Sequence, residues 1–225
     1  LAVFSLKRLH ADGYSKNDYS SLADHPLEEL SLRRANLQSL DSLQALELKA
    51  LFISNNPIES IHELACESLV TLDLFKCPIS NIDPLSDSPV EELNISGTKV
   101  SNLSALRNSP LKKLEMRATQ VSDISCLAEC PLEVLLLPGS PIKSINPLSF
   151  LPINEMNLVG LELEDLTPLS TMPLKKLSIS PGKLTAAQFD LLKKLDLQAI
   201  MGPGDPSGQT PREFFEKHKA GKKEN

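Results

Sequence analysis

Residues 90–110, VEELNISGTKVSNLSALRNSP, have close relatives on both sides at a fixed spacing of 21 residues. Each copy reads L-x-x-L-x-L from its first apolar position, and further apolar residues stand at positions 11, 14 and 17. Copies begin at Leu27, Leu48, Leu69, Val90, Leu111, Leu132, Ile153 and Leu174, without one slip. A unit this short has one apolar side and cannot fold alone. It buries that side only against its neighbours, so stacked copies share one continuous core. Length alone would allow two domains; the period predicts a single body.

The spacing within a copy sets the local structure. L-x-L alternation sends both leucines to one face and the intervening residues to the other, as in a strand. Each copy adds one strand in the same direction, which predicts a parallel sheet with strands about 4.8 Å apart. The return half is short and carries Pro84, Pro147 and Pro168 at position 16. Proline there excludes long helices and favours turns or 3-10 segments. A second proline precedes position 1 in Pro26, Pro89, Pro110, Pro131, Pro152 and Pro173, and leads the chain into the strand. A narrow strand layer under a bulkier outer layer predicts a curved body with the sheet inside.

Position 9 holds Asn56, Cys77, Thr98, Thr119 and Ser140 in the middle copies. Small polar side chains at this point can satisfy backbone groups where the chain leaves the strand. Ala35, Leu161 and Gly182 break that column near both ends.

The ends differ from the middle. Residues 1–26 hold a degenerate copy, with Leu6, Leu9, Tyr19 and Leu22 at positions 1, 4, 14 and 17 and Lys16 interrupting position 11. Residues 27–184 are the regular copies, and the period is expected to stop after Leu184. In residues 185–225, Thr185 to Gln188 forms a capping box ahead of Phe189, Leu192 and Leu195 at helical spacing. That helix is expected to cover the open end of the last copy. Thr210 to Glu213 is a second capping box with Pro211 at the first helical position. Phe214 and Phe215 follow, of which at least one is expected to dock, and Gly221 is expected to end the helix.

At this point the residues resemble leucine-rich repeats, of the short bacterial kind, over about residues 6–184. The tail, LKKLSISPGKL followed by TPREFFEKHKAG, is similar to tails of leucine-rich regions in bacterial serine/threonine protein kinase-like proteins. The resemblance implies an α/β-type repeat solenoid, a curved horseshoe with the parallel sheet on its concave face, short turns on its convex face and a helical cap at its C-terminus. It also implies binding through the concave face.

That face can be read from strand alternation as well. Position 5 places Phe52, Asp73, Asn94, Glu115, Leu136 and Asn157 on it, and position 7 places Arg33, Phe75, Arg117, Pro138 and Val159 there. Position 8, including Lys76, is expected on the same face. Phe52 and Phe75, flanked by Arg33, Asp73 and Lys76, have the make-up of an interface hot spot; the alternative is a lone aromatic packed along the sheet. Val134, Leu136, Pro138 and Val159 form a second apolar group, either a contact surface or a patch covered by loops. Asp73 and Glu115 stand two strands apart, about 9.6 Å, which is wide for shared acid–base work, and no nucleophile joins them. With Arg117 they suit a charged binding rim. His10 is expected to face inward in isolation.

The remaining exclusions come from composition. The formal net charge of −6 argues against nucleic acid as partner. No run of residues is apolar enough for a membrane span. Cys66, Cys77, Cys126 and Cys130 lack the histidines and spacing of a zinc site and are expected to be buried or half-buried thiols, with a disulfide as the alternative. No phosphate loop or kinase motif is present. The sequence therefore predicts a non-catalytic module without cofactor whose partner is a protein or peptide. A regulatory region of a kinase-like signalling protein and a secreted adhesin-like surface protein are the alternatives. A first residue that is not Met, in mid-pattern, predicts a piece of a longer protein and leaves its compartment open.

Overall fold

The computed structural model describes residues 5–16, 18–204 and 209–218. Ten short strands form one parallel sheet in sequence order: β1 (Arg8–His10), β2 (Glu29–Ser31), β3 (Ala50–Phe52), β4 (Thr71–Asp73), β5 (Glu92–Asn94), β6 (Lys113–Glu115), β7 (Val134–Leu136), β8 (Glu155–Asn157), β9 (Lys176–Ser178) and β10 (Ala199–Met201). From β1 to β9 every pairing keeps the sequence period, as where Leu51 faces Leu72 and Leu72 faces Leu93. The degenerate first copy joins in the same register, with Leu9 opposite Leu30.

The return halves are 3-10 segments or turns, among them Asp83–Leu85, Asn146–Leu148 and Thr167–Thr171. Their second residues are the position 16 prolines, which lack the N–H that a first turn leaves unbonded. Between the layers lies one apolar core running from Tyr19 to Phe214. Leu30, Leu51, Ile53, Leu114 and Leu135 in it are fully buried.

Three positions recur with the same local role in successive copies, and the first also ties neighbouring copies together. At position 9, Asn56 Nδ2 donates to the carbonyls of Leu32 and Ile53 at 2.8 and 2.7 Å, and its Oδ1 accepts from Leu37 N at 2.9 Å. Cys77 Sγ donates to Ile53 O, Thr98 Oγ1 to Ile95 O, and both Thr119 and Ser140 to Met116 O. At position 13, Asp18, Ser39, Ser60, Asn81, Asn102, Asp123, Ser144 and Asp165 each accept the backbone N–H two residues on. These turns open the outer segments. At position 8 the chain takes a left-handed conformation in Gly13, Arg34, Asn55, Lys76, Gly97, Ala118, Gly139 and Gly160. Lys76 is one of these residues, with φ of 57°, and it is exposed.

All four cysteines are buried free thiols. Cys126 and Cys130 donate across the repeat to Leu103 O and Leu106 O at 3.2 Å. Desolvation pushes the Cys66 thiol up to about 11.

The C-terminal end corrects the sequence reading. The α-helix over Ala186–Leu192 (α1) has the expected capping box, and Phe189 and Leu192 are buried. It does not close the end. It replaces a 3-10 segment as the outer layer of one more copy, and the chain returns as β10. Ala199 faces Lys176, a step of 23 residues in place of 21. The helix needs the two extra residues, and they broke the period. Closure falls to the next segment. Gln209 pairs antiparallel with Ile200, and the helix over Pro211–Lys217 (α2) buries Phe214 completely against the end. Gly221 lies outside the described residues.

Candidate functional site

Strands β3 to β8 and β10 each have a buried middle residue between two that reach solvent, whereas Ser31 and Ser178, the third residues of β2 and β9, are buried. Position 4 therefore points into the core, and positions 3 and 5 point to the concave face. Register then aligns Phe52, Asp73, Asn94, Glu115 and Leu136 in one row.

Arg33, Phe52 and Asp73 come together. The Arg33 guanidinium lies 4.6 Å from the Phe52 ring centroid, with Nε 3.4 Å from Asp73 Oδ2 and Nη1 3.8 Å from Asp12 Oδ2. Arg33 Nη1 also donates to Ser31 Oγ at 3.3 Å. Desolvation, the largest single influence, pushes the Asp12 carboxyl up. Its bonds from Ser31 and the Arg33 amide, with the Arg33 and His10 charges, outweigh this and leave it below its ordinary value. Phe75 carries a cation of its own, with Lys76 Nζ 5.1 Å from the ring centroid. Both rings are half-buried, so each offers an apolar edge under a charged cover. Beside them a depression of about 210 Å³ is lined by Phe52, Asp73, Glu92, Asn94, Lys113 and Glu115.

Asp73, Glu115 and Arg117 form no ion pair with one another. Asp73 is bound to Arg33, and Glu115 to Lys113 at 2.8 Å. The bond to Glu115 raises the Lys113 pKa. Arg117 is exposed, and its backbone N–H donates to Ser96 Oγ at 3.1 Å. His10 is not isolated, because its Nε2 lies 2.7 Å from Glu29 Oε1. In the second apolar group Val134, Leu136 and Val159 are half-buried, and Pro138 is buried.

Residue types alone did not show what orients the position 7 residues. Asp73, Asn94 and Asn157 accept the N–H of Phe75, Ser96 and Val159 at 3.1, 3.0 and 3.0 Å. These bonds fix the backbone from which Phe75 and Val159 project. The recurrence of Asp or Asn two residues before position 7 was the available signal. A larger groove of about 940 Å³ lies away from this face, beside the start of α1, with Leu161, Leu163 and Leu184 in its wall. It opens where Leu161 and Gly182 interrupt the position 9 column.

Among the described residues no cluster of three or more ligating side chains is placed to hold a metal ion, and no helix is long and apolar enough to cross a membrane.

No family model and no curated relative matches the sequence. Solved structures do. An internalin (inlF) from Listeria monocytogenes is similar over 87% of this chain and 62% of its own, with 25% identity and a TM-score of 0.71. This chain thus spans less than two thirds of that structure. An internalin C2 (inlC2) from the same organism is similar over 77% of this chain and 80% of its own, with 24% identity and a TM-score of 0.68. The unbroken period, the open parallel sheet with its 3-10 outer layer and this likeness identify the chain as a leucine-rich-repeat protein, folded as a curved solenoid.

Proposed function

We propose that the chain is a non-catalytic module that binds a protein or peptide through its concave face, with Phe52 and Phe75 as anchors. The observation that carries this reading is the Arg33–Phe52–Asp73 arrangement beside Phe75. Two half-buried rings, each beneath a cation, present rigid apolar area at little entropic cost inside a polar rim. The leucine-rich-repeat fold supports a protein-binding role, because its parallel strands offer an extended inner surface whose residues vary from copy to copy. Leu136 and Val159 form a second contact three to five strands away, with Asp73, Lys76, Glu115 and Arg117 setting polar register.

The test compares capture of partners by the wild type, the Phe52→Ala/Phe75→Ala double variant and the Leu136→Gln/Val159→Gln double variant. Hot-spot truncation lowers affinity by about tenfold or more, so partners specific to the concave face should drop out of at least one variant. Partners held equally by all three proteins would remove the concave face from the function.

A further inference from the structure

The protein is acidic overall, yet one border of its concave face is not. The chain leaves β2 to β6 through residues 33–36, 54–57, 75–78, 96–99 and 117–120. These segments hold Arg33, Arg34, Lys76, Lys99 and Arg117 and no Asp or Glu. Shared register sets them side by side, so the stripe from Arg34 to Arg117 spans four strand spacings, about 19 Å.

Four of the five cations are uncompensated. Arg33 is held by Asp12 and Asp73. Arg34, Lys76, Lys99 and Arg117 are all exposed and form no ion pair with any described residue. The opposite border behaves differently. There Lys7 and Lys49 both bind Glu28, and Lys112 binds Glu91, each lysine 2.8 or 2.9 Å from its carboxylate. The fold thus neutralises these lysines along one border and leaves four of the five cations open along the other between β2 and β6. Two of the open cations also stand where the backbone disfavours them. Arg34 and Lys76 have φ of 54° and 57°, in a column where four other copies use glycine. Phe75, beneath Lys76, adds the stripe's apolar contact.

We infer that this border receives an acidic polypeptide segment laid across the repeats, its carboxylates on Arg34, Lys76, Lys99 and Arg117 and one apolar side chain against Phe75. An extended segment rises about 3.3 Å per residue, so roughly six residues cover the stripe. The inference rests on the proposed polypeptide-binding role and adds the chemistry of the partner.

The probe is a fluorescently labelled synthetic Glu-rich peptide with a single Phe, measured by anisotropy against its Gln-for-Glu counterpart and a single-stranded oligonucleotide. The proteins are the wild type and the Arg34→Gln/Lys76→Gln/Lys99→Gln/Arg117→Gln variant, with circular dichroism melts to verify that both are folded. The wild type should bind the Glu peptide at least about tenfold more tightly than the Gln peptide or the variant does. Binding should also weaken as salt shortens the screening length from about 30 to about 8 Å. Equal binding by the variant, equal binding of the Gln peptide, no binding by the wild type, or tighter binding of the oligonucleotide would each overturn the inference. If partners sensitive to Phe52→Ala/Phe75→Ala are still captured, such a failure leaves the proposed function standing. Loss of that capture as well removes both.

Discussion

Asn56→Ala tests the internal hydrogen-bond column most directly. Asn56 is 2% exposed and joins two copies through three short bonds. Truncation leaves Leu32 C=O and Leu37 N–H without any other partner among the described residues. Ile53 O keeps the Cys77 thiol at 3.1 Å. Two stranded buried groups at roughly 1 to 3 kcal/mol each put the loss at about 3 kcal/mol, allowing for some entry of water. Thr98→Val in the same column is the internal standard. Ile95 O keeps its bond from Thr98 N at 3.2 Å, and Val100 N loses only a 3.4 Å contact. Its loss should lie near the low end, about 1 kcal/mol. For a chain of this size roughly 2 to 4 °C of melting temperature corresponds to each kcal/mol. Thermal melts should therefore fall by about 6 to 12 °C for Asn56→Ala and about 2 to 4 °C for Thr98→Val. Hydrogen exchange at the Leu37 amide should accelerate only in the first variant. Equal melting temperatures for the two variants would refute the reasoning, since the difference rests on which backbone groups keep a partner.

The hydrogen bonds from Lys7 and Lys49 hold the Glu28 carboxyl at about 2, below its ordinary 4.5. A depressed folded value stabilises above the unfolded pKa and is lost as pH falls towards 2. The melting difference between wild type and Glu28→Gln should thus be constant above pH 5 or so and vanish in acid; a difference independent of pH would contradict it. Phe214→Ala should cost about 3 to 5 kcal/mol, expose the β10 edge and produce self-association detectable by light scattering. Ala118 has φ of 52° in the column where other copies hold glycine. Ala118→Gly should therefore raise stability by about 1 kcal/mol in urea denaturation, and Gly160→Ala should lower it by a similar amount.

The core was legible in the sequence because each buried position repeats. Leu51, Leu72 and Leu93 face one another in the order that their spacing requires. The tenth strand was not legible. Leu197 and Ile200 match positions 1 and 4, but a helix stands where the other copies have a turn, and the step lengthens to 23. The left-handed column was written in glycines at multiples of the period, Gly13, Gly97, Gly139 and Gly160. Arg34, Asn55, Lys76 and Ala118 concealed it, because side-chain identity alone does not report a positive φ. Alternation put Phe52 and Asp73 in one row, and the strand register pairs them. It could not show that Arg33 reaches across two copies to bind both, since that contact depends on rotamers and distances.

The uniform register has a consequence for how such a surface can be refitted. Every strand pairing from β1 to β9 has the same register, so the ladder of strands does not depend on which copy precedes it. Excising residues 90–110 whole would set Thr71 against Lys113 without altering a core position. It would also bring the Phe52/Phe75 group about 4.8 Å nearer to Leu136 and Val159. On the proposed reading, the number of copies between the two groups gauges a partner's own stride. Gain or loss of one copy retunes that gauge in fixed increments while the interior stays as it is.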